Sequence, residues 1–60
     1  MIDIRALRKE HKLSLSKLGE AVGITRQAVS QIELGKSKPD VDTAKKLGAV
    51  LNFDWWKIYE

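Results

Sequence analysis

The stretch SLSKLGEAVGITRQAVSQIELG, residues 14–35, decides the fold of this chain. In its first half, apolar residues recur at the spacing of one helical face: Leu15, Leu18 and Val22. Ser14 is a typical N-cap residue, because its hydroxyl can accept a free backbone N–H of the first turn. Gly23 can adopt the left-handed conformation that ends a helix. The pattern therefore predicts a helix over residues 15–22.

The second half of the stretch predicts another helix, over residues 26–34. Thr25 can cap this helix and Gly35 can end it. Two apolar residues would face the core, Val29 and Ile32. The opposite side is polar and carries no acid, since it is formed by Arg26, Gln27, Ser30 and Gln31. A small residue is needed where the two helices touch, and Gly19 or Ala28 can fill that need.

Outward from this stretch, the sequence also shows helical spacing, and no segment alternates in the manner of a strand. The region before it predicts a helix over residues 4–11. Asp3 can cap that helix, and Ile2 and Leu7 stand at the spacing of a hydrophobic staple around the cap.

Two further helices are predicted near the end of the chain. The first covers residues 41–51, with Asp40 as its cap and Asn52 in the left-handed conformation at its end. Its inward stripe would be formed by Val41, Ala44, Leu47 and Leu51. The second is a short helix over residues 55–59, capped by Asp54. We therefore expect an all-α fold, a compact bundle of five short helices.

Length and composition bound the class of protein. A chain of 60 residues allows one domain, residues 1–60, with a small core. The chain has no cysteine and one histidine, which leaves no disulfide and no thiolate metal site and predicts no cofactor. The sequence shows neither an apolar run long enough for a membrane span nor a signal peptide. We expect a soluble protein of the cytoplasm.

Several function classes are disfavoured by what the sequence lacks. An enzyme is not expected, because there is no nucleophile with a base and an orienting group, no metal-ligand spacing and no Gly-rich phosphate loop. A membrane-surface role is disfavoured, because the lysines lie on loops and helix ends and not on one helical face. The net charge of +3 favours polyanionic partners, although only weakly at this magnitude.

The sequence LSLSKLGEAVGITRQAVSQIELGKSKP, residues 13–39, closely resembles the lambda-repressor-like helix-turn-helix family of phage repressors, Cro proteins and XRE regulators. The strongest part is residues 22–33, and the resemblance extends over nearly all of the chain. It implies that residues 14–35 are the helix-turn-helix motif. It also implies a sequence-specific regulator of transcription, Cro-like or a repressor, whose second motif helix enters the major groove of double-stranded DNA.

The resemblance further implies which residues touch DNA. Base edges would be read by Arg26, Gln27 and Gln31, joined by Ser30. Arg can donate two hydrogen bonds to guanine, and Gln can pair with adenine in the same bidentate way. Phosphate contacts are implied for Thr25, Lys36 and Lys38. Backbone amides near Leu15 and Val41 are further phosphate donors. The alternative for all these side chains is an ordinary solvated surface.

Other positions of the resemblance concern structure. Arg8 and Glu33 match positions that form a buried ion pair in relatives, so Arg8 is not expected to touch DNA. Two departures remove polar anchors that members of the family carry. Leu15 stands where a Gln often contacts phosphate, and Leu34 stands where some members have Asn. Both departures favour help from a second subunit.

All of the aromatic residues lie among the last eight: Phe53, Trp55, Trp56 and Tyr59. Helical neighbours differ by about 100°, so the two tryptophans cannot both point inward. Phe53 and one tryptophan are expected in the core. An interface with a partner is assigned to Trp55, Trp56, Ile58 and Tyr59. Relatives dimerise through this end, which implies a homodimer on a near-palindromic operator. The alternative is an antitoxin-like or other interaction module that holds a protein partner there.

Overall fold

The computed structural model describes residues 2–60. This part of the chain has no strand and consists of four α-helices and one 3₁₀ helix: α1 Ile4–Glu10, α2 Leu15–Val22, α3 Arg26–Glu33, α4 Val41–Leu51 and the 3₁₀ helix Trp55–Tyr59. The predicted all-α fold is confirmed, and each helix boundary lies within one residue of its predicted position. The last element is the tighter 3₁₀ form, which is used in short pieces. No helix within residues 2–60 is long and apolar enough to span a membrane.

Each α-helix begins at the side-chain cap that the sequence predicts. A hydroxyl or carboxylate accepts the backbone N–H three residues later, at 3.0–3.1 Å, and these caps are Asp3, Ser14, Thr25 and Asp40. The prediction of a cap at Asp54 is wrong, because its side chain makes no such hydrogen bond. The amide of Lys57 already donates to the Asp54 carbonyl at 2.9 Å. The Asp54 carboxylate instead lies 3.7 Å from Lys57 Nζ.

Residues in the left-handed conformation follow the helices. α2 ends at Gly23 with φ 77°, and α4 ends at Asn52 with φ 59°, as predicted. Lys12, just after α1, also has a positive φ of 56°, which the sequence pattern did not predict. An L-residue with a Cβ pays a steric cost in this region, so the chain between α1 and α2 is locally strained at Lys12.

The core lies where α2 packs against α3 and α4, and α1 packs against α3. Its buried apolar residues are Ile4, Leu18, Val22, Val29, Ala44, Leu47 and Leu51. The prediction that Val41 joins this core is wrong, since its side chain is 49% exposed. Successive residues of a helix turn by about 100°, which places Val41 roughly 70° from the mean direction of the buried face of α4. It is also the first residue of the helix, where fewer neighbours cover it.

Two glycines mark close approaches of the backbone. A Cβ on Gly19 would lie 2.6 Å from the carbonyl oxygen of Ile24 and 3.2 Å from the carbonyl carbon of Thr25. The small residue in α2 is therefore required by the turn that leads into α3. A Cβ on Gly48 would lie 2.7 Å from the carbonyl oxygen of Phe53. This second approach lets the chain after α4 fold back across the helix.

Candidate nucleic-acid interface

The outer face of α3 presents a polar strip that begins at its N-terminal end and runs into its last turn. Arg26, Gln27 and Gln31 are exposed, and Ser30 is half-buried beside them. Residues four apart on a helix are neighbours, so Gln27 lies next to Gln31 on the helix surface and Arg26 lies next to Ser30. Across residues 2–60, none of these four side chains hydrogen-bonds to another part of the chain. Their donors and acceptors are thus available to an external partner.

The electrostatics of this strip favour an anion. The first turn of α3 contains no acid, so the partial positive charge of the helix N-terminus is not offset there. Arg26 adds a full positive charge at the same end. Glu33 is the one acid of α3, and it lies in the last turn, where Arg8 neutralises it. The N-terminal part of the polar strip, at Arg26 and Gln27, is therefore electropositive.

Thr25 lies directly before this strip, and its hydroxyl can both accept and donate a hydrogen bond. Its Oγ1 accepts the backbone N–H of Ala28 at 3.1 Å, which fixes the start of α3. The hydroxyl hydrogen remains free to donate, since a Thr hydroxyl is both donor and acceptor. Thr25 can therefore cap the helix and contact an anion at the same time.

The basic loop, residues 36–39, follows α3. Lys36 and Lys38 are both exposed. The amide of Lys36 donates to the carbonyl of Gln31 at 3.0 Å, which ties the start of the loop to the end of α3. The structure thus brings the two lysines close to the C-terminal end of the helix that carries the polar strip.

The two helix N-termini suggested as phosphate donors differ in charge. α2 begins with the neutral cap Ser14 and has no acid in its first turn, which leaves the amide near Leu15 free of negative neighbours. α4 begins with the Asp40 carboxylate and has Asp42 in its first turn. Hydrogen bonds from the side chain and then from the backbone amide of Thr43 lower the pKa of Asp40 below its ordinary value. Two carboxylates at this end disfavour a phosphate near Val41.

Arg8 connects three parts of the chain. Its Nε lies 2.7 Å from Glu33 Oε2, and its Nη2 lies 3.4 Å from Glu33 Oε1. Its Nη1 donates to the carbonyl of Leu13 at 2.8 Å. The two side chains are only 11% and 8% exposed. The contact with Leu13 was missed by sequence reasoning, because a backbone carbonyl carries no residue signature. Arg8 thus holds the start of α2 and the end of α3 relative to α1.

Three of the C-terminal aromatic residues contact one another, whereas Phe53 packs against the core. The ring of Trp55 meets the rings of Trp56 and Tyr59 edge-on, with centroids 5.9 and 6.4 Å apart. Lys45 Nζ of α4 lies 5.5 Å from the centre of the Trp55 ring. Trp56 is 52% exposed and Tyr59 is 37% exposed. Phe53, Trp55 and Ile58 are half-buried. This end of the molecule therefore presents two aromatic side chains to solvent.

One contact of this aromatic end reaches the basic loop. The Tyr59 hydroxyl donates to the carbonyl of Pro39 at 2.7 Å, across 20 residues of sequence. Nothing in the sequence pattern pointed to this bond, since its acceptor is again a backbone carbonyl.

Comparison with known proteins gives a consistent identification. The helix-turn-helix family model matches residues 4–56. The HTH-type transcriptional regulator SutR of Escherichia coli is 39% identical over 49 residues, which are 82% of this chain and 28% of SutR. The uncharacterized HTH-type transcriptional regulator YqaF of Bacillus subtilis is 36% identical over 53 residues, which are 88% of this chain and 70% of YqaF.

The chain spans less than a third of the length of SutR but most of YqaF. No solved structure matches it significantly. The family match covers all four α-helices and the start of the 3₁₀ helix. Together with two regulators that align over most of the chain, it shows that this protein belongs to the Cro/C1-type helix-turn-helix family.

Proposed function

We propose that this chain binds double-stranded DNA at a specific sequence and regulates transcription there, in the cytoplasm, with residues 1–60 acting as one DNA-binding domain. The observation that carries the proposal is the polar strip of α3. Its side chains are unpaired within residues 2–60 and belong to the second helix of the motif, and Arg26 and Gln27 lie at the electropositive end of that helix. A helix of this kind fits the major groove, with its N-terminal residues toward the base edges.

The chemistry of the strip suits base recognition. Arg26 can donate two hydrogen bonds to O6 and N7 of guanine, and Gln27 and Gln31 can each pair with N6 and N7 of adenine. Ser30 is half-buried, and its short side chain reaches a base or a phosphate only at close approach. We therefore assign sequence preference mainly to the three long side chains.

Contacts with the DNA backbone would set the register of α3 without reading sequence. We assign them to the free hydroxyl hydrogen of Thr25 and to the exposed ammonium groups of Lys36 and Lys38. Replacing either lysine by Ala should weaken binding to all sequences alike. It should also lower the slope of log K against log salt concentration by about one unit.

The exposed aromatic end supports a second subunit. Trp56 and Tyr59 offer apolar area to solvent beside the half-buried Trp55 and Ile58, and aromatic residues are enriched at the centres of protein interfaces. We propose a homodimer that places two copies of α3 about one DNA turn apart on a near-palindromic operator, in the manner of Cro proteins and repressors. Sedimentation of the protein alone and with a selected duplex would measure the assembly directly. If the chain instead copurifies with a different protein bound through Trp56, the antitoxin-like alternative replaces the homodimer.

Selection of binding sites from random duplexes tests the proposal. The wild-type chain should enrich one motif with two-fold symmetry. Gln27→Ala and Gln31→Ala should each cost about 1–3 kcal/mol on that motif and relax the preference at the bases they contact. Glu10→Ala, at an exposed position of α1, is the matched control and should retain the wild-type motif. An unchanged motif in the Gln27→Ala/Gln31→Ala double variant would contradict the assignment of base reading to these two residues.

A further inference from the structure

Resting on the proposed function, we propose that Tyr59 is a positioning residue for DNA backbone binding: its hydroxyl fixes the basic loop so that Lys36 and Lys38 meet phosphates. The two ends of this loop are held differently. The first end is tied by the local bond from the Lys36 amide to the Gln31 carbonyl at 3.0 Å. The second end is tied by the bond from Tyr59 to Pro39 at 2.7 Å.

The bond from Tyr59 has no substitute in this part of the fold. Within residues 2–60, the structure shows no other hydrogen bond to Ser37, Lys38 or Pro39. The loop and the C-terminal segment also line an open hollow of about 610 Å³, so close apolar packing between them is limited. The hydroxyl of Tyr59 therefore supplies the tertiary restraint on the second half of the loop.

The chemistry of Pro39 transmits this restraint to Lys38. Proline fixes its own φ near −65° and confines the residue before it to extended conformations. Once the Pro39 carbonyl is held, the direction of the chain at Lys38 is restricted as well. A fixed loop loses less conformational entropy when its lysines bind phosphate. The hydroxyl thus increases affinity without touching DNA.

Tyr59 is in turn held by the aromatic end. Its ring meets Trp55 edge-on, and Trp55 lies beneath Lys45 of α4. Because Tyr59 also belongs to the surface assigned to a partner, a second subunit bound there would reinforce the same restraint on the loop.

A double-mutant cycle on DNA binding tests the proposal. Tyr59→Phe removes only the hydroxyl, and it should weaken binding to the selected and to scrambled duplexes alike, by about threefold, which is below the roughly fivefold that one whole net hydrogen bond would supply. The slope of log K against log salt concentration should stay at the wild-type value, because both lysines still reach phosphates in the complex. In a Lys36→Ala/Lys38→Ala background, the same change should have no further effect on affinity. NMR backbone order parameters at Ser37 and Lys38 in the free protein should be lower in Tyr59→Phe than in wild type.

The control separates positioning from a general loss of stability. Ala49→Gly, at an exposed position inside α4, lowers fold stability by removing helix propensity, and it should leave affinity and salt slope unchanged. A loss in Tyr59→Phe that persists in the lysine-free background would overturn the proposal and assign Tyr59 to dimer formation alone. Unchanged affinity in Tyr59→Phe would also overturn it, while leaving base reading by α3 intact. Failure of the wild type to bind any duplex would instead reject the proposed function itself.

Discussion

Replacement of Arg8 by Met should come close to unfolding the protein. The variant leaves the Glu33 carboxylate, 8% exposed, without its partner at 2.7 Å, and it leaves the Leu13 carbonyl without its donor. Removing one partner of a buried ion pair costs about 3–5 kcal/mol. A chain of 60 residues has a total stability of about 3–9 kcal/mol, from 0.05–0.15 kcal/mol per residue. Arg8→Met should therefore remove a large part of the total free energy of unfolding.

The double variant Arg8→Met/Glu33→Met distinguishes the ion pair from simple packing. Apolar replacement of both partners is often neutral or stabilising, so most of the loss should be recovered. A deficit of about 1–3 kcal/mol should remain, because the carbonyl of Leu13 still lacks a donor. Glu33→Met alone should also cost about 3–5 kcal/mol, because it leaves the buried Arg8 charge without its partner, so the coupling energy between the two sites would be at least about 3 kcal/mol.

Urea denaturation followed by tryptophan fluorescence measures these energies, with both tryptophans in the 3₁₀ helix as reporters. The m-values should agree among the variants, which shows that the surface exposed on unfolding is unchanged. Additive effects of the two single changes would refute the reasoning. So would an Arg8→Met variant that melts like wild type and has lost DNA binding, since Arg8 would then be a contact residue.

Three further predictions concern single positions. Gly19→Ala should destabilise the fold by about 1–3 kcal/mol in thermal melting, because its Cβ would meet the Ile24 carbonyl oxygen at 2.6 Å. Helix propensity alone would instead raise the stability by about 0.5–1 kcal/mol, and that result would contradict the close approach. Asp40→Asn keeps a competent cap but loses the charge whose pKa is lowered by Thr43. A carboxyl group whose pKa is lowered by folding adds stability that is fully present above its unfolded-state pKa and is lost as the pH falls through its folded-state pKa. The melting temperature of the variant, measured across a pH series, should therefore depend less on pH below about pH 4 than that of wild type. Lys12→Gly should raise the melting temperature by relieving the positive φ of 56°, whereas Lys9→Gly inside α1 should lower it.

The helices could be predicted from the sequence because their signals are local. Caps, apolar spacing and left-handed terminators act within a few residues, and Ser14, Thr25 and Asp40 lie where the pattern required. Two failures have equally local causes. Val41 lies at the edge of the apolar stripe of α4 and is the first residue of that helix. Asp54 precedes a 3₁₀ turn in which the amide that would donate to a side-chain cap already donates to the Asp54 carbonyl.

The candidate site could be predicted in its residue types but not in its supports. Helical geometry places Gln27 and Gln31 on the face opposite Val29 and Arg26 at the edge of that face, and the family resemblance implied their contact with bases. The bonds from Arg8 to Leu13 and from Tyr59 to Pro39 both end on backbone carbonyls. Every residue has such a carbonyl, so composition and spacing carry no information about which one is used. Only the assembled fold shows these contacts.

These supports explain how so small a chain can hold α3 at both ends. The start of α3 is fixed by the Thr25 cap and by the turn that lies against Gly19. Its end is fixed by Arg8, which joins Glu33 to the backbone at Leu13. A helix of eight residues is too short to be stable alone, so its order depends on restraint at both ends. The basic loop that follows is held by the local bond from the Lys36 amide and by the bond from Tyr59 to Pro39. The C-terminal segment therefore restrains this loop, as Arg8 restrains the end of α3.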